Sequence, residues 1–128
     1  MYLKAFGPAM IGTGPFIPHH ATPFASFSAG STELTLFVIS LLRIMLPDVL
    51  LPSTTALGTL SDDGRVRGLE AGCNVIMPNL SPKENQKEYM LYDGKSTGFN
   101  ADDSLNTLKS AVGKAGYELI ISRGDHVK

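Results

Sequence analysis

The stretch TELTLFVISLLRIMLPDVLLPSTTALGTLSDDGRVRGLEAGCNVIMP, residues 32–78, decides the fold. Its first part carries apolar residues at helical spacing: Leu34, Phe37, Val38, Leu41 and Met45. Leu36, Ile39 and Leu42 widen that surface, which predicts a helix buried on more than one side. Thr32 suits the N-cap, Glu33 the positive end of the dipole, and Pro47 the stop. Val49 to Leu51 is then a short unbroken apolar run, the pattern of a strand covered on both faces. It leads through Pro52-Ser53-Thr54-Thr55 into a turn. Asp62 or Asp63 can cap a modest helix carrying Val66 and Leu69, with Gly72 as its end. Asn74 to Met77 forms the next strand, closed by Pro78. Helices alternating with short apolar strands predict a parallel sheet covered by helices.

Working outward, Ala9 to Ile17 (AMIGTGPFI) reads as an earlier strand that ends in a Pro-rich loop. Met10, Gly12 and Gly14 share one face under strand alternation, and two glycines there imply that something approaches the backbone closely. Residues His19 to Ser31 read as loop. Downstream, Ser81-Pro82-Lys83-Glu84 combines an N-cap serine, proline at the first helical position and glutamate three residues after the cap. The helix it starts should reach about Tyr92, before Asp93-Gly94 turns the chain. Asp102 or Asp103 caps a further helix with Leu105, Leu108, Val112 and Ala115 on one stripe and Gly116 just past its end. Leu119 to Ser122 reads as a short tail strand. The expected architecture is one α/β domain over residues 1–128. Its β/α units cover 9–80, and capping helices and a tail cover 81–128. Three strands are too few to close a barrel, which needs about eight.

The chain has 128 residues, 43% hydrophobic and 18% charged, a globular balance. The net charge is −1 and the basic residues are scattered, which argues against nucleic-acid binding. A single cysteine, Cys73, rules out an internal disulfide framework and an all-cysteine metal site within one chain, and implies a reducing, cytoplasmic setting. The apolar stretch Leu34 to Leu46 contains Arg43 and is shorter than the roughly 20 residues of a membrane span. No basic n-region followed by an apolar h-region marks a signal peptide. The sequence predicts a soluble chain.

Ligands of parallel α/β sheets bind beyond the C-terminal ends of the strands. The hydroxyls of Ser53, Thr54 and Thr55 fall there and can hold a small anion together with backbone N–H groups. The same residues also suit turn chemistry, in which they satisfy their own backbone, and spacing alone favours the turn reading over the anion site. His19 and His20 are adjacent in a segment read as extended, so their rings should diverge, which disfavours one shared metal ion. Cys73 reads as a small buried hydrophobe, and Tyr89 and Tyr92 as packing residues. No Ser-His-Asp pattern, P-loop or GxGxxG fingerprint is present.

The segments MIGTGPFIPH, ATPF, LLRIMLPDVLLPSTTALGTL, GRVRGLEAGCNVIMPNLSP and EYMLYDGK, spanning Met10 to Lys95, together resemble the C-terminal half of the HydE-type maturases of FeFe-hydrogenase. A fainter likeness reaches methylornithine synthase and biotin synthase. The region is similar to the biotin and thiamin synthesis associated domain of radical-SAM proteins. The resemblance implies a partial, half TIM-type (β/α) barrel with parallel strands and a C-terminal helical extension. In that family the full barrel uses a 4Fe-4S cluster on a CxxxCxxC loop to cleave S-adenosylmethionine to a 5′-deoxyadenosyl radical. This chain lacks that loop, and GKSTGFNADDSLNTL carries no cysteine where some members hold a second cluster.

The resemblance further implies that Met10 and Met77 face the barrel interior near S-adenosylmethionine or substrate. It makes Thr54 and Thr55 an anion site in the cavity, and places Tyr89 near the S-adenosylmethionine region. Cys73 replaces the usual alanine of the family's GAN triplet at a modest volume cost. On this reading the chain alone is inactive, and its partner is the complementary barrel half or a second copy. The competing reading is a stand-alone module that binds a small anion or a protein and has no radical chemistry.

Overall fold

Three chain segments run side by side and in parallel, in the order of the sequence. The computed structural model describes residues 2–78 and 101–126. Its centre is residues 50–53. Leu50 bridges Met10 on one side. Strand β1 (Pro52–Ser53) pairs on the other side with β2 (Val75–Ile76), Pro52 opposite Val75 and Ser53 opposite Ile76. The Met10 bridge is held by the Ile11 N–H to the Leu50 carbonyl at 2.9 Å and the Leu50 N–H to the Ala9 carbonyl at 3.0 Å. The expected α/β class with a parallel sheet therefore holds, with a small sheet. The strand expected over Ala9 to Ile17 shrinks to this bridge, because Gly12, Gly14 and Pro15 pair poorly in a ladder. The strand expected at Val49 to Leu51 takes its ladder one residue later, at Pro52–Ser53.

Around the sheet lie α1 (Tyr2–Phe6), α2 (Thr32–Met45), α3 (Thr55–Leu60), α4 (Gly64–Glu70) and α5 (Ala101–Lys114). Helix α2 is capped by Ser31, one residue before the expected Thr32. The Ser31 hydroxyl accepts from the Leu34 N–H at 3.1 Å. Thr35, Leu36, Ile39 and Leu42 are the buried residues of α2. They join Val49, Leu51, Leu57, Leu69 and Cys73 in a core that Val112 of α5 closes, as its stripe predicts. Helix α3 occupies the segment read as a turn. Asp63 holds the N-cap position of α4 without a side-chain cap bond, and its carboxylate instead accepts from the Ser61 hydroxyl. Gly72 ends the turn after α4 at φ +119, and Gly116 follows α5 at φ +79, both in the region that favours glycine. Helix α5 is described over Ala101–Lys114, so positions 102 and 103, expected to precede it, lie within it. Leu119 to Ser122 is not a strand. Ile120 and Ile121 are exposed there, so β-branched character has formed no ladder. The capping box at Ser81 to Glu84 lies outside the described residues.

Two polar side chains lock the strand entry. Arg43 donates from Nε to the Gly72 carbonyl at 2.8 Å, and from Nη1 to the Pro47 and Val49 carbonyls at 2.6 and 2.9 Å. One guanidinium thus ties the end of α2 to both the start of the central segment and the turn before β2. Asn74 accepts the Leu51 N–H on Oδ1 at 2.8 Å, while its own N–H reaches the Leu51 carbonyl at 3.0 Å. Both backbone groups of the buried Leu51 are satisfied in this way.

Candidate functional site

The register sets which residues share a level. Met10 stands beside Leu50 and Ser53 beside Ile76; carried forward, the same pairing sets Gly14 and Met77 on either side of Thr54. One contact agrees with that extension: a Cβ added to Gly14 would lie 2.9 Å from Thr54 Oγ1. Gly14 is therefore the close approach that its place on the strand face implied. Alternation puts Met10, Leu50, Thr54 and Met77 on one side of the sheet. Val49, Leu51 and Ser53 point the other way, buried beneath the helices. Ser53 is fixed there, its hydroxyl donating to the Arg65 carbonyl at 3.0 Å. It is therefore separated from Thr54 and does not join it in a hydroxyl cluster.

Thr54 occupies the N-cap position of α3 with extended φ and ψ, yet its side chain makes no cap bond. A threonine there ordinarily accepts an N–H two or three residues on. Here Oγ1 is buried and has no hydrogen-bond partner among the described residues. Leaving a buried hydroxyl unsatisfied costs about 1–3 kcal/mol, so the orientation is one that a ligand or water could repay. Thr55 is the first residue of α3, and its carbonyl accepts the Thr59 hydroxyl at 3.0 Å. Met77 directly follows β2 and is 52% exposed; Met10 is 47% exposed. The structure brings Gly14 against Thr54, and the ladder, continued one residue past Ser53 and Ile76, sets Met77 at the level of Thr54. Met10 sits four residues earlier on its strand, roughly 13 Å back at 3.3 Å per residue. Tyr89 lies outside the described residues.

The remaining sequence candidates behave as follows. His19 and His20 do not diverge; their rings stack with centroids 4.4 Å apart. A turn explains this, because the Thr22 N–H bonds the His19 carbonyl and removes the extended geometry that divergence needs. Among the described residues no group of three or more His, Cys, Asp or Glu could hold a metal ion, and no helix is long and apolar enough to cross a membrane. The iron–sulfur cluster that the resemblance implies does not fit this chain's own donors: the single cysteine is buried, and burial pushes its thiol up to about 11, with Arg43 pulling weakly the other way.

That shift sets a pH dependence. The folded state holds the Cys73 proton more tightly than the unfolded chain, so this contribution to stability is complete below the ordinary thiol value of 9.0. It is lost as pH rises through about 11. Urea midpoints should fall across that window in the parent and fall less in Cys73→Ala. An equal fall in both would contradict the assignment.

Sequence reading missed three contributors to this region. Arg43 was visible only as a lone charge in an apolar helix. Gly64 and Gly68 let α4 press against α3 and β1, since added Cβ atoms would meet the Leu57 carbonyl oxygen at 2.1 Å and Ser53 Oγ at 2.5 Å. Their spacing, four residues apart in GRVRG, was the available signal.

No protein-family model matches the chain. The [FeFe] hydrogenase maturase subunit HydE of Thermotoga maritima is 46% identical over 102 residues, which is 80% of this chain and 29% of that protein. The 3-methylornithine synthases of Methanosarcina barkeri and Methanosarcina acetivorans are 34% and 32% identical over 86 and 90 residues, 67% and 68% of this chain. The chain thus spans between about a quarter and three-tenths of the length of these curated relatives. Within those limits of length, it belongs by sequence with the HydE-type maturases of the radical-SAM proteins.

Proposed function

We propose that this chain forms the C-terminal half of a (β/α) barrel in a HydE-like radical-SAM maturase for FeFe-hydrogenase, and supplies one wall of its substrate cavity. The observation that carries the reading is the Thr54 hydroxyl. It is buried, has no hydrogen-bond partner among the described residues, and is set against Gly14 on the sheet face away from the helices. The parallel, in-order neighbours Met10, Leu50 and Val75–Ile76 support the barrel assignment, because successive β/α units of such a barrel lie side by side. In this reading Thr54 and Thr55 bind a small anion such as a carboxylate. Met77 lines the same level, Met10 lines a deeper one, and Tyr89 serves the S-adenosylmethionine region. The 4Fe-4S cluster would be held by residues outside these 128, and when bound it supplies the electron that cleaves S-adenosylmethionine.

Thr54→Val and Thr55→Val together keep the shape and remove both hydroxyls. Each hydrogen bond lost to a charged ligand costs about 1.5–3 kcal/mol in a dry site, so thiocyanate or small-carboxylate affinity should fall at least tenfold by calorimetric titration. Affinity equal to that of the parent would remove the anion site.

The second reading, a stand-alone small-anion or protein-interaction module, draws on the same hydroxyl. It predicts the same titration result but no gain of radical chemistry when a cluster-bearing half is supplied.

A further inference from the structure

Glycine at position 14 is not a demand of the backbone. Among the described residues the glycines of positive φ are Gly7, Gly72, Gly116 and Gly124, so Gly14 holds a conformation that other residues also adopt. What the position requires is space. The three atoms nearest an added Cβ all belong to Thr54: Oγ1 at 2.9 Å, and Cβ and Cγ2 at 3.6 Å each. Gly12, two residues earlier on the same face, has open space in its Cβ direction, so the tight fit is particular to the level of Thr54. The segment also leaves the ladder before that level. Its last backbone bond to the central segment runs from the Ile11 N–H to the Leu50 carbonyl, and among the described residues none follows from positions 12–15. Gly14 can therefore shift slightly from Thr54 without breaking a ladder bond.

We propose that Gly14 determines the specificity of the Thr54 site and restricts it to flat anions, admitting carboxylates and turning away tetrahedral oxyanions. The proposal rests on the anion reading given above and adds the shape of the ligand. Thr54 Oγ1 is buried, has no hydrogen-bond partner among the described residues, and faces Gly14. An acceptor that reaches the hydroxyl from this side passes the Gly14 backbone. A gap too tight for a methyl group admits such an acceptor only edge-on, after a slight shift of the segment. A carboxylate is planar, and one of its oxygens can enter with the plane of the group lying between the two segments. A tetrahedral ion carries oxygens on every side of the one that bonds, and these meet the Gly14 backbone. Alanine at position 14 would close the gap, because its methyl stands where the acceptor passes.

Calorimetric titration of the full chain with formate and with perchlorate tests the proposal, counting only the binding that Thr54→Val abolishes. Both ions carry a single negative charge. Perchlorate is the more weakly hydrated, so desolvation alone would favour it, and a preference for formate reports shape. The parent should bind formate at least about tenfold more tightly than perchlorate, the scale of one hydrogen bond to a charged group. Gly14→Ala should lose formate affinity by a similar factor, while Gly12→Ala keeps the parent's value. Urea unfolding shows whether Gly14→Ala is folded, and if it is not, the parent's preference between the two ions decides. Perchlorate binding as tightly as formate overturns the proposal, and so does unchanged formate affinity in folded Gly14→Ala; in both cases the anion site itself stands. A parent that binds neither ion removes the anion site and this proposal with it.

Discussion

Replacing Gly64 by alanine is expected to destabilise the chain by about 3 kcal/mol or more, at or above the upper end for overpacking a tight contact. The added Cβ would stand 2.1 Å from the Leu57 carbonyl oxygen and 2.6 Å from its carbon. Both are backbone atoms of α3, so no rotamer change relieves the clash, and α4 must move away. Movement there is opposed one turn later, where Gly68 lets Ser53 pack beneath α4 while its hydroxyl holds the Arg65 carbonyl. The penalty should therefore spread to the strand end that carries Thr54. Gly113 in α5 provides the contrast. It has open space around its Cβ direction, so Gly113→Ala should stabilise by roughly 0.5–1 kcal/mol through helix propensity. Urea unfolding of the three proteins measures both signs. A Gly64→Ala midpoint equal to the parent's would mean that α4 is not pressed on α3 as described.

The parts of the fold legible in the sequence are those with long or strongly punctuated signals. Helix α2 and α5 each carry a sustained apolar stripe, and the short apolar runs near Leu51 and Val75 announce parallel strands. Helix α3 escaped because TALGTL is six residues with a central glycine and two threonines, too short for periodicity and poor in helix propensity. The tail erred the opposite way. Ile120 and Ile121 have strand character, but a strand exists only where a neighbour offers a ladder. At the site, the hydroxyls at a strand end were readable, while the meeting of Gly14 with Thr54 was not. That contact depends on the register of two segments forty residues apart, which no local pattern encodes. Alternation also separates Ser53 from Thr54, so three consecutive hydroxyls supply one buried group to each side of the sheet.

The largest effect expected of this protein is the appearance of radical chemistry on mixing it with a cluster-bearing half. One cysteine cannot supply the three thiolates of a CxxxCxxC loop, and Cys73 is buried with its thiol held protonated. If the chain contributes only a cavity wall, radical chemistry should depend entirely on a partner half that carries the cluster. The direct measurement is 5′-deoxyadenosine formation under anaerobic reduction with S-adenosylmethionine. It would compare this chain after reconstitution with iron and sulfide, a cluster-bearing N-terminal half of Thermotoga maritima HydE, and the two combined. No product is expected from this chain, little from the isolated half, and a large gain on mixing that Gly64→Ala diminishes. Product from this chain alone with about one cluster bound, or no gain on mixing, would contradict it.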